Sequence, residues 1–508
     1  MSPVPSSQSP QTQPEASRTP PAPPESPSAE SRHAPLLWLL AACLAGLLRF
    51  WNLDQWSLWI DEAYTLADAY HGVGNYNWVG YRLVRWTVEA LGEQPSAWSL
   101  RFLPALVGWL CIPATFWALH PWVGGRRAAL VALVVALSPW ELYWSQNARF
   151  YTFVQLSSLI GAGYVLRGLL RNSVALAIWG LALSGFGALF QLQAVIVSVA
   201  LVAGPLLAWI RFKGWRSPEQ AGDLAGEWVT PTRVIAALVL FATLAGLTVL
   251  PWVLDIFQQY RLQKQDPPLA SLQHLVLTSA YYITPTLSAA ALFGSFVIWR
   301  TRDARGLVLA GVVLSGAGAL AAASVLARTS AQYGLAFLPF ISVLAVWVTA
   351  MPGIPCSRIL RWGFVTVICA PLLAGLGLYF TTQQGQRPRW REAYLYVQAQ
   401  RATEDIVLGM QAPVGEFYLV PGSTNLRLPE AVRWCDRTRP AAWRKAAQTD
   451  SNLWVVVRPA FLPEWGADAR QAFERFLRDD CELQRSFPVR QEGRDLNVDV
   501  YLRRAQRP

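Results

Sequence analysis

Pro35-Leu-Leu-Trp38-Leu-Leu-Ala-Ala-Cys43-Leu-Ala-Gly-Leu-Leu-Arg49-Phe50 runs directly into Trp51-Asn-Leu-Asp54-Gln-Trp56-Ser57-Leu-Trp59-Ile-Asp61-Glu62-Ala-Tyr64-Thr65. The first half carries no charge before Arg49 and approaches the ~20 apolar residues that cross a bilayer as helix. Leu40-Ala-Ala-Cys43 has the outline of a lipoprotein cleavage site. The apolar stretch before it is only about seven residues, near the lower limit for a signal peptide, and the run continues to Phe50. The segment therefore predicts an uncleaved first membrane helix. The second half places an adjacent Asp61–Glu62 pair among Trp and apolar residues, where a carboxylate costs free energy unless it is paired or functional.

Apolar blocks of this kind recur near 99–119, 128–144, 150–166, 173–189, 190–210, 233–254, 285–299, 307–327, 331–350 and 361–380, so the count predicts about eleven transmembrane helices. Composition agrees. Of the 508 residues, 53% are hydrophobic and 15% charged, against roughly 25% charged in soluble proteins, and mean hydropathy is +0.26. An ordinary cytosolic enzyme, a disordered scaffold and a disulfide-stapled secreted domain are excluded. Residues 1–34, with nine Pro and eight Ser, predict a disordered cytoplasmic tail.

The net charge of +11 is explained by topology rather than by nucleic acid. One set of loops holds thirteen basic residues against four acidic (Glu219, Asp223, Glu227 and Asp303); the other set holds eight basic and nine acidic. Basic residues collect on the cytoplasmic side, which puts the N-terminus inside. The outer side then receives loops 51–98, 139–149 and 255–284 and everything after 380. The tail 381–508 reads as a small α/β domain, with strands at Asp405–Gly409, Asn452–Pro459 and Leu496–Arg503 and helices at Glu392–Arg401 and Ala467–Arg478. Cys435 and Cys481 are candidates for a disulfide there. The cysteines and the four scattered His have no zinc-site spacing.

Chemistry concentrates on the outer face. Asp61 and Glu62 are the first candidates, with a solvated loop end as the plain alternative; Trp51, Trp56 and Trp59 also suit an interfacial aromatic belt. The loop Ser138-Pro139-Trp140-Glu141-Leu-Tyr143-Trp-Ser145-Gln146-Asn147-Ala-Arg149-Phe-Tyr151 adds Glu141, Arg149 and Tyr151. Arg149 is the only basic residue of that loop, and a guanidinium fork suits a lipid phosphate; anchoring a helix end is the alternative. Arg328 and Tyr333 offer a second such place. Carboxylates, arginines and aromatic rings on one membrane face suit the transfer of a sugar from a lipid phosphate.

Ser57-Leu-Trp-Ile-Asp61-Glu62-Ala-Tyr-Thr resembles the first-loop Asp-Glu motif of bacterial C-type glycosyltransferases, the relatives of protein O-mannosyltransferases and of the lipid A aminoarabinose transferase. Ser99-Leu-Arg101-Phe-Leu-Pro104, Ser145-Gln-Asn-Ala-Arg149-Phe-Tyr151, Gln332-Tyr333…Leu338-Pro339 and Arg389-Trp-Arg-Glu-Ala393 are similar to later motifs of that family, in the same order. Two positions depart from it: Asn147 stands where many relatives have Glu, and Gln332 where many have Arg.

The resemblance implies a multi-pass protein of the bacterial inner membrane and a polyprenyl-phosphate donor carrying a single sugar. It implies inverting transfer to an acceptor hydroxyl on a glycan, lipid or protein. Asp61 would be the general base, Glu62 would orient it or the acceptor, and Arg149 would meet the departing phosphate, with Glu141, Tyr151, Arg328 and Tyr333 as substrate contacts. No cofactor follows from the sequence, and a divalent metal stays open. A lipid-carrier flippase without chemistry and a transferase using a diphosphate-linked oligosaccharide are the competing readings.

Overall fold

The computed structural model describes residues 34–71, 77–92, 94–212, 231–263, 268–326, 328–350, 358–419, 432–435, 440–491 and 494–505. The Pro/Ser-rich segment up to His33, the inner-loop residues Lys213, Arg216, Glu219, Asp223 and Glu227, and Cys356 fall outside them.

Helix α1 (Ala34–Phe50) is followed by two helices inside the segment read as an outer loop, α2 (Ile60–His71) and α3 (Trp78–Leu91). The bundle continues with α4 (Ala97–Val123), α5 (Gly125–Leu137), α6 (Pro139–Ser145), α7 (Tyr151–Leu170), α8 (Val174–Phe186), α9 (Ala194–Phe212), α10 (Thr232–Gln263), α11 (Pro268–Ile283), α12 (Pro285–Thr301), α13 (Ala304–Leu326), a 3-10 turn Ala331–Phe337, α14 (Leu338–Val346) and α15 (Arg358–Phe380). Among the described residues seven spans are long and apolar enough to cross a membrane, or nine if the two bent pairs α5–α6 and α11–α12 each count as one. Pro35–Phe50 and Val174–Leu189 are shorter apolar helices.

The bends have local causes. At α5–α6 the chain turns by 63°, where Pro139 lacks the N–H an unbroken helix needs and Ser138 Oγ accepts the Glu141 N–H at 3.4 Å. At α11–α12 it turns by 96°, because Thr284 is left-handed (φ 65°) and caps α12 ahead of Pro285. The region 255–284, read as a loop, is therefore largely helix. Its apolar residues continue α10 to Gln263 and then form α11. Between α7 and α8, Gly161 and Gly180 meet so closely that a Cβ on either would press on the other's carbonyl, the small-residue contact by which membrane helices approach.

After Phe380 come α16 (Trp390–Gln400), β1 (Ile406–Gly409), α17 (Ala412–Leu419), β2 (Val432–Trp434), α18 (Ala442–Ala446), β3 (Leu453–Val457), α19 (Ala467–Asp479), β4 (Glu482–Phe487) and β5 (Val498–Arg503). They build one mixed sheet in the order β2-β1-β3-β5-β4, with β1 parallel to both neighbours and β5 antiparallel to both of its own. All five residues of central β3 are buried, and α19 covers the sheet with Phe473 and Phe476. Cys435 is buried and Cys481 half-buried against that core, and among the described residues no disulfide joins this candidate pair.

Candidate functional site

The segment leading into α2 is clamped from the C-terminal region. Ser57 Oγ accepts the Arg391 N–H at 3.0 Å and donates to Glu392 Oε2 at 3.3 Å, and the Leu58 N–H donates to Tyr418 Oη at 2.7 Å. Arg391 reaches back to the Asp54 carbonyl at 3.1 Å. These bonds set where the helix starts. Its first turn then carries Asp61 and Glu62, the charge sign that a helix N-terminus favours.

Glu62 turns inward and is fully buried. Arg101 grips it with both edges, Nε to Oε1 at 2.7 Å and Nη2 to Oε2 at 2.8 Å. The Trp59 N–H donates to it at 2.8 Å, the Ala148 N–H at 3.0 Å and Arg387 Nε at 3.3 Å. Burial alone would raise its pKa; the Arg101 and Arg387 charges and these bonds outweigh burial and hold it down to about 2. Burial works against the charge of Arg387 too, and Glu62 overcomes that, so its pKa lies above the ordinary value. The arginines are spent on structure as well. Arg101 donates to the carbonyls of Leu53, Trp56 and Ser57, and Arg387 to those of Gln146 and Gly385. Gln146 Nε2 in turn donates to the carbonyls of Leu48, Arg49 and Trp51, satisfying acceptors that the end of α1 leaves open. Tyr379 Oη closes the ring on Gln146 Oε1 at 2.9 Å.

Asp61 is half-exposed. Among the described residues its carboxylate makes no hydrogen bond or ion pair. One turn later Thr65 Oγ1 donates to the Asp61 carbonyl at 2.8 Å and accepts from Arg149 Nη1 at 3.2 Å. Asp68 follows at the next helical step, hydrogen-bonded to Tyr81 and in the field of Arg149; burial comes first among the causes and leaves its pKa raised. Residues 61, 65 and 68 lie on one helix face by their spacing, and Arg149 reaches that helix at Thr65. Tyr151 stacks obliquely on Trp144 at 4.2 Å and faces Tyr333 at 6.2 Å between ring centres.

Other candidates lie elsewhere. Glu141, read as a substrate contact, has 0% exposure and sits 3.7 Å from the equally buried Arg49. It stands at the start of α6, within a bend of the bundle, facing Arg49. Arg328 is exposed in the turn after α13, beside Thr329, whose N–H bonds Ser271 Oγ at 3.3 Å. Sequence reasoning passed over Arg101, Arg387, Gln146 and Asp68. Arg101 and Gln146 stood inside quoted motifs, and Asp68 is seven residues from Asp61; Arg387 gave no local signal.

No family model matches the chain, and no curated protein matches it in sequence. Solved structures with a similar fold exist. ArnT from Cupriavidus metallidurans in the apo state superposes with a TM-score of 0.51 at 15% identity, over 92% of this chain and 98% of that one. The same protein bound to undecaprenyl phosphate gives 0.50 at 14% over the same shares. The Archaeoglobus fulgidus oligosaccharyltransferase tethered to an acceptor peptide gives 0.50 at 11%, over 84% of this chain and 69% of its own. Likeness at such identity is a likeness of fold.

Proposed function

From the C-type glycosyltransferase fold that this chain adopts, we propose that it transfers a single sugar from a polyprenyl-phosphate donor to an acceptor hydroxyl on the outer face of a membrane. The observation that carries this reading is the Asp61 carboxylate, without a partner among the described residues, on a helix face where Thr65 binds Arg149. Asp61 takes the proton of the attacking hydroxyl. The acceptor oxygen bonds to the anomeric carbon, and the bond from that carbon to the phosphate oxygen breaks, its electron pair leaving with the phosphate. Arg149 offsets the charge that gathers there. Phosphate is a weak base, so no acid has to protonate it, and one displacement inverts the anomeric centre. Glu62 is a positioning residue: its inward grip on Arg101 and Arg387 holds the start of α2, leaving Asp61 outward. Among the described residues no three His, Cys, Asp or Glu side chains converge as a metal ligand set, and no step is routed through one. The C-terminal sheet region lies on the same outer side, and the N-terminus in the cytoplasm.

The test is Asp61→Asn, which keeps shape and loses the proton acceptor. Sugar transfer from a polyprenyl-phosphate donor should fall roughly 10²–10⁴-fold, with donor binding and unfolding temperature unchanged. A variant that turns over normally would discard both the base assignment and the transferase reading built on it, and would favour a flippase, which has no proton to abstract.

A further inference from the structure

Two arginines of the C-terminal region converge on the ring of Trp59, two residues before Asp61. Arg458 Cζ lies 5.2 Å and Arg494 Cζ 5.3 Å from the indole centre. Arg458 is 6% exposed and is also 4.2 Å from the Phe461 ring. Its Nη2 donates to the Asp495 carbonyl at 3.1 Å, while its buried Nε has no acceptor. Arg494 Nη1 approaches Tyr282 Oη at 3.5 Å. Among the described residues neither guanidinium forms a salt bridge. A buried charge normally has a partner, and here two like charges face one aromatic ring. Burial, and then the neighbouring Arg494 charge, push the Arg458 pKa down to about 10. Aromatic faces hold the two side chains in place but give the buried Arg458 Nε no acceptor among the described residues.

Tyr282, which accepts from Arg494, also lines a neighbouring cavity of about 580 Å³ with Trp140, Pro371, Leu378 and Arg490, whose lining does not include Arg458, Arg494 or Trp59 themselves. That cavity lies where α6, α11 and the C-terminal end of α15 meet the chain after β4.

We propose that Arg458 and Arg494 form an oxyanion subsite, built for a phosphate group, on the face of Trp59 beside Asp61. A planar fork from each side supplies the charge-assisted hydrogen bonds that phosphate oxygens take. The phosphate belongs either to the polyprenyl carrier or to a soluble second substrate. Which of these it is deepens the glycosyl-transfer reading; the subsite itself is tested without turnover.

The full-length protein in detergent is titrated with two probes, a polyprenyl monophosphate without sugar and glycerol 3-phosphate, for the unaltered chain, Arg458→Gln and Arg494→Gln. Each variant should lose roughly tenfold or more in affinity, the scale of a charged hydrogen bond. Without probe, each should unfold at or above the original temperature, because one of two like charges has gone. Arg494→Lys keeps the charge and loses the fork, so it should fold and still bind several-fold more weakly. Loss confined to the polyprenyl phosphate supports the carrier as the source; parallel loss for glycerol 3-phosphate supports a soluble substrate. Unchanged affinity for both probes overturns the proposal, as does a lower unfolding temperature without probe, which would make the arginines packing elements of Trp59. Failure of Asp61→Asn to affect transfer would remove the reaction and leave these binding results standing.

Discussion

Glu62→Gln should cost the protein its fold rather than only its chemistry. The substitution preserves shape and removes one negative charge, but that charge is the counterpart of two fully buried guanidiniums, Arg101 and Arg387. Breaking a buried pair by removing one partner costs about 3–5 kcal/mol. Proton linkage gives the same scale: holding Glu62 at about 2 against its ordinary 4.5 corresponds to roughly 3 kcal/mol. That stabilisation is fully present above pH ~4.5 and fades as pH falls towards 2, since the folded state then loses the ionised form it prefers. Stabilities of 5–15 kcal/mol are typical, so the loss should be plain in detergent at pH 7. The assay is the unfolding temperature with size-exclusion profile and protease resistance, beside transfer activity. The unaltered protein should lose stability on acidification across that window, and Glu62→Gln should be unstable already at neutral pH. A variant that unfolds with the original protein while losing all transfer would refute the structural role and make Glu62 a catalytic group.

Arg149→Lys keeps the charge and gives up the fork, and should weaken donor use with little effect on unfolding temperature; unchanged donor affinity and turnover would make Arg149 a helix anchor. Gly294→Ala should destabilise the bundle by about 1–3 kcal/mol, read as a drop in unfolding temperature, because a Cβ there lands on the Leu344 carbonyl oxygen. Alkaline phosphatase fused after residue 381 should be active, while activity of a cytoplasmic reporter at that point would invert the orientation.

Hydropathy made the helical body legible, and short apolar-rich runs made β1, β3 and β5 legible, because membrane helices and buried central strands both leave continuous apolar stretches. Strand β4 escaped notice since five of its six residues have some exposure, so it carries no apolar alternation. Helices α2 and α3 escaped because a half-buried helix with mixed polarity resembles a loop when read without its neighbours. The acidic pair was visible; its division into an outward Asp61 and an inward Glu62 was not. That division is set by Arg101 and Arg387, which lie 39 and 325 residues along the chain from Glu62, beyond the reach of any local pattern. Glu141 is similar: its loop was legible, and its buried approach to Arg49 at the end of α1 was not.

The clamp of Ser57 and Leu58 onto α16 and α17 bears on how this molecule can be re-engineered. A chimera that exchanges everything after Phe380 for the corresponding part of another protein would bring foreign residues to positions 391, 392 and 418, against an unmatched 54–58 segment. The start of α2, and Asp61 with it, would then depend on Arg101, through Glu62 and the Leu53, Trp56 and Ser57 carbonyls, because Arg387 would be exchanged as well. Residues 54–62 and the C-terminal region behave as one inherited unit that happens to be split in the chain, and a functional graft has to move both pieces together.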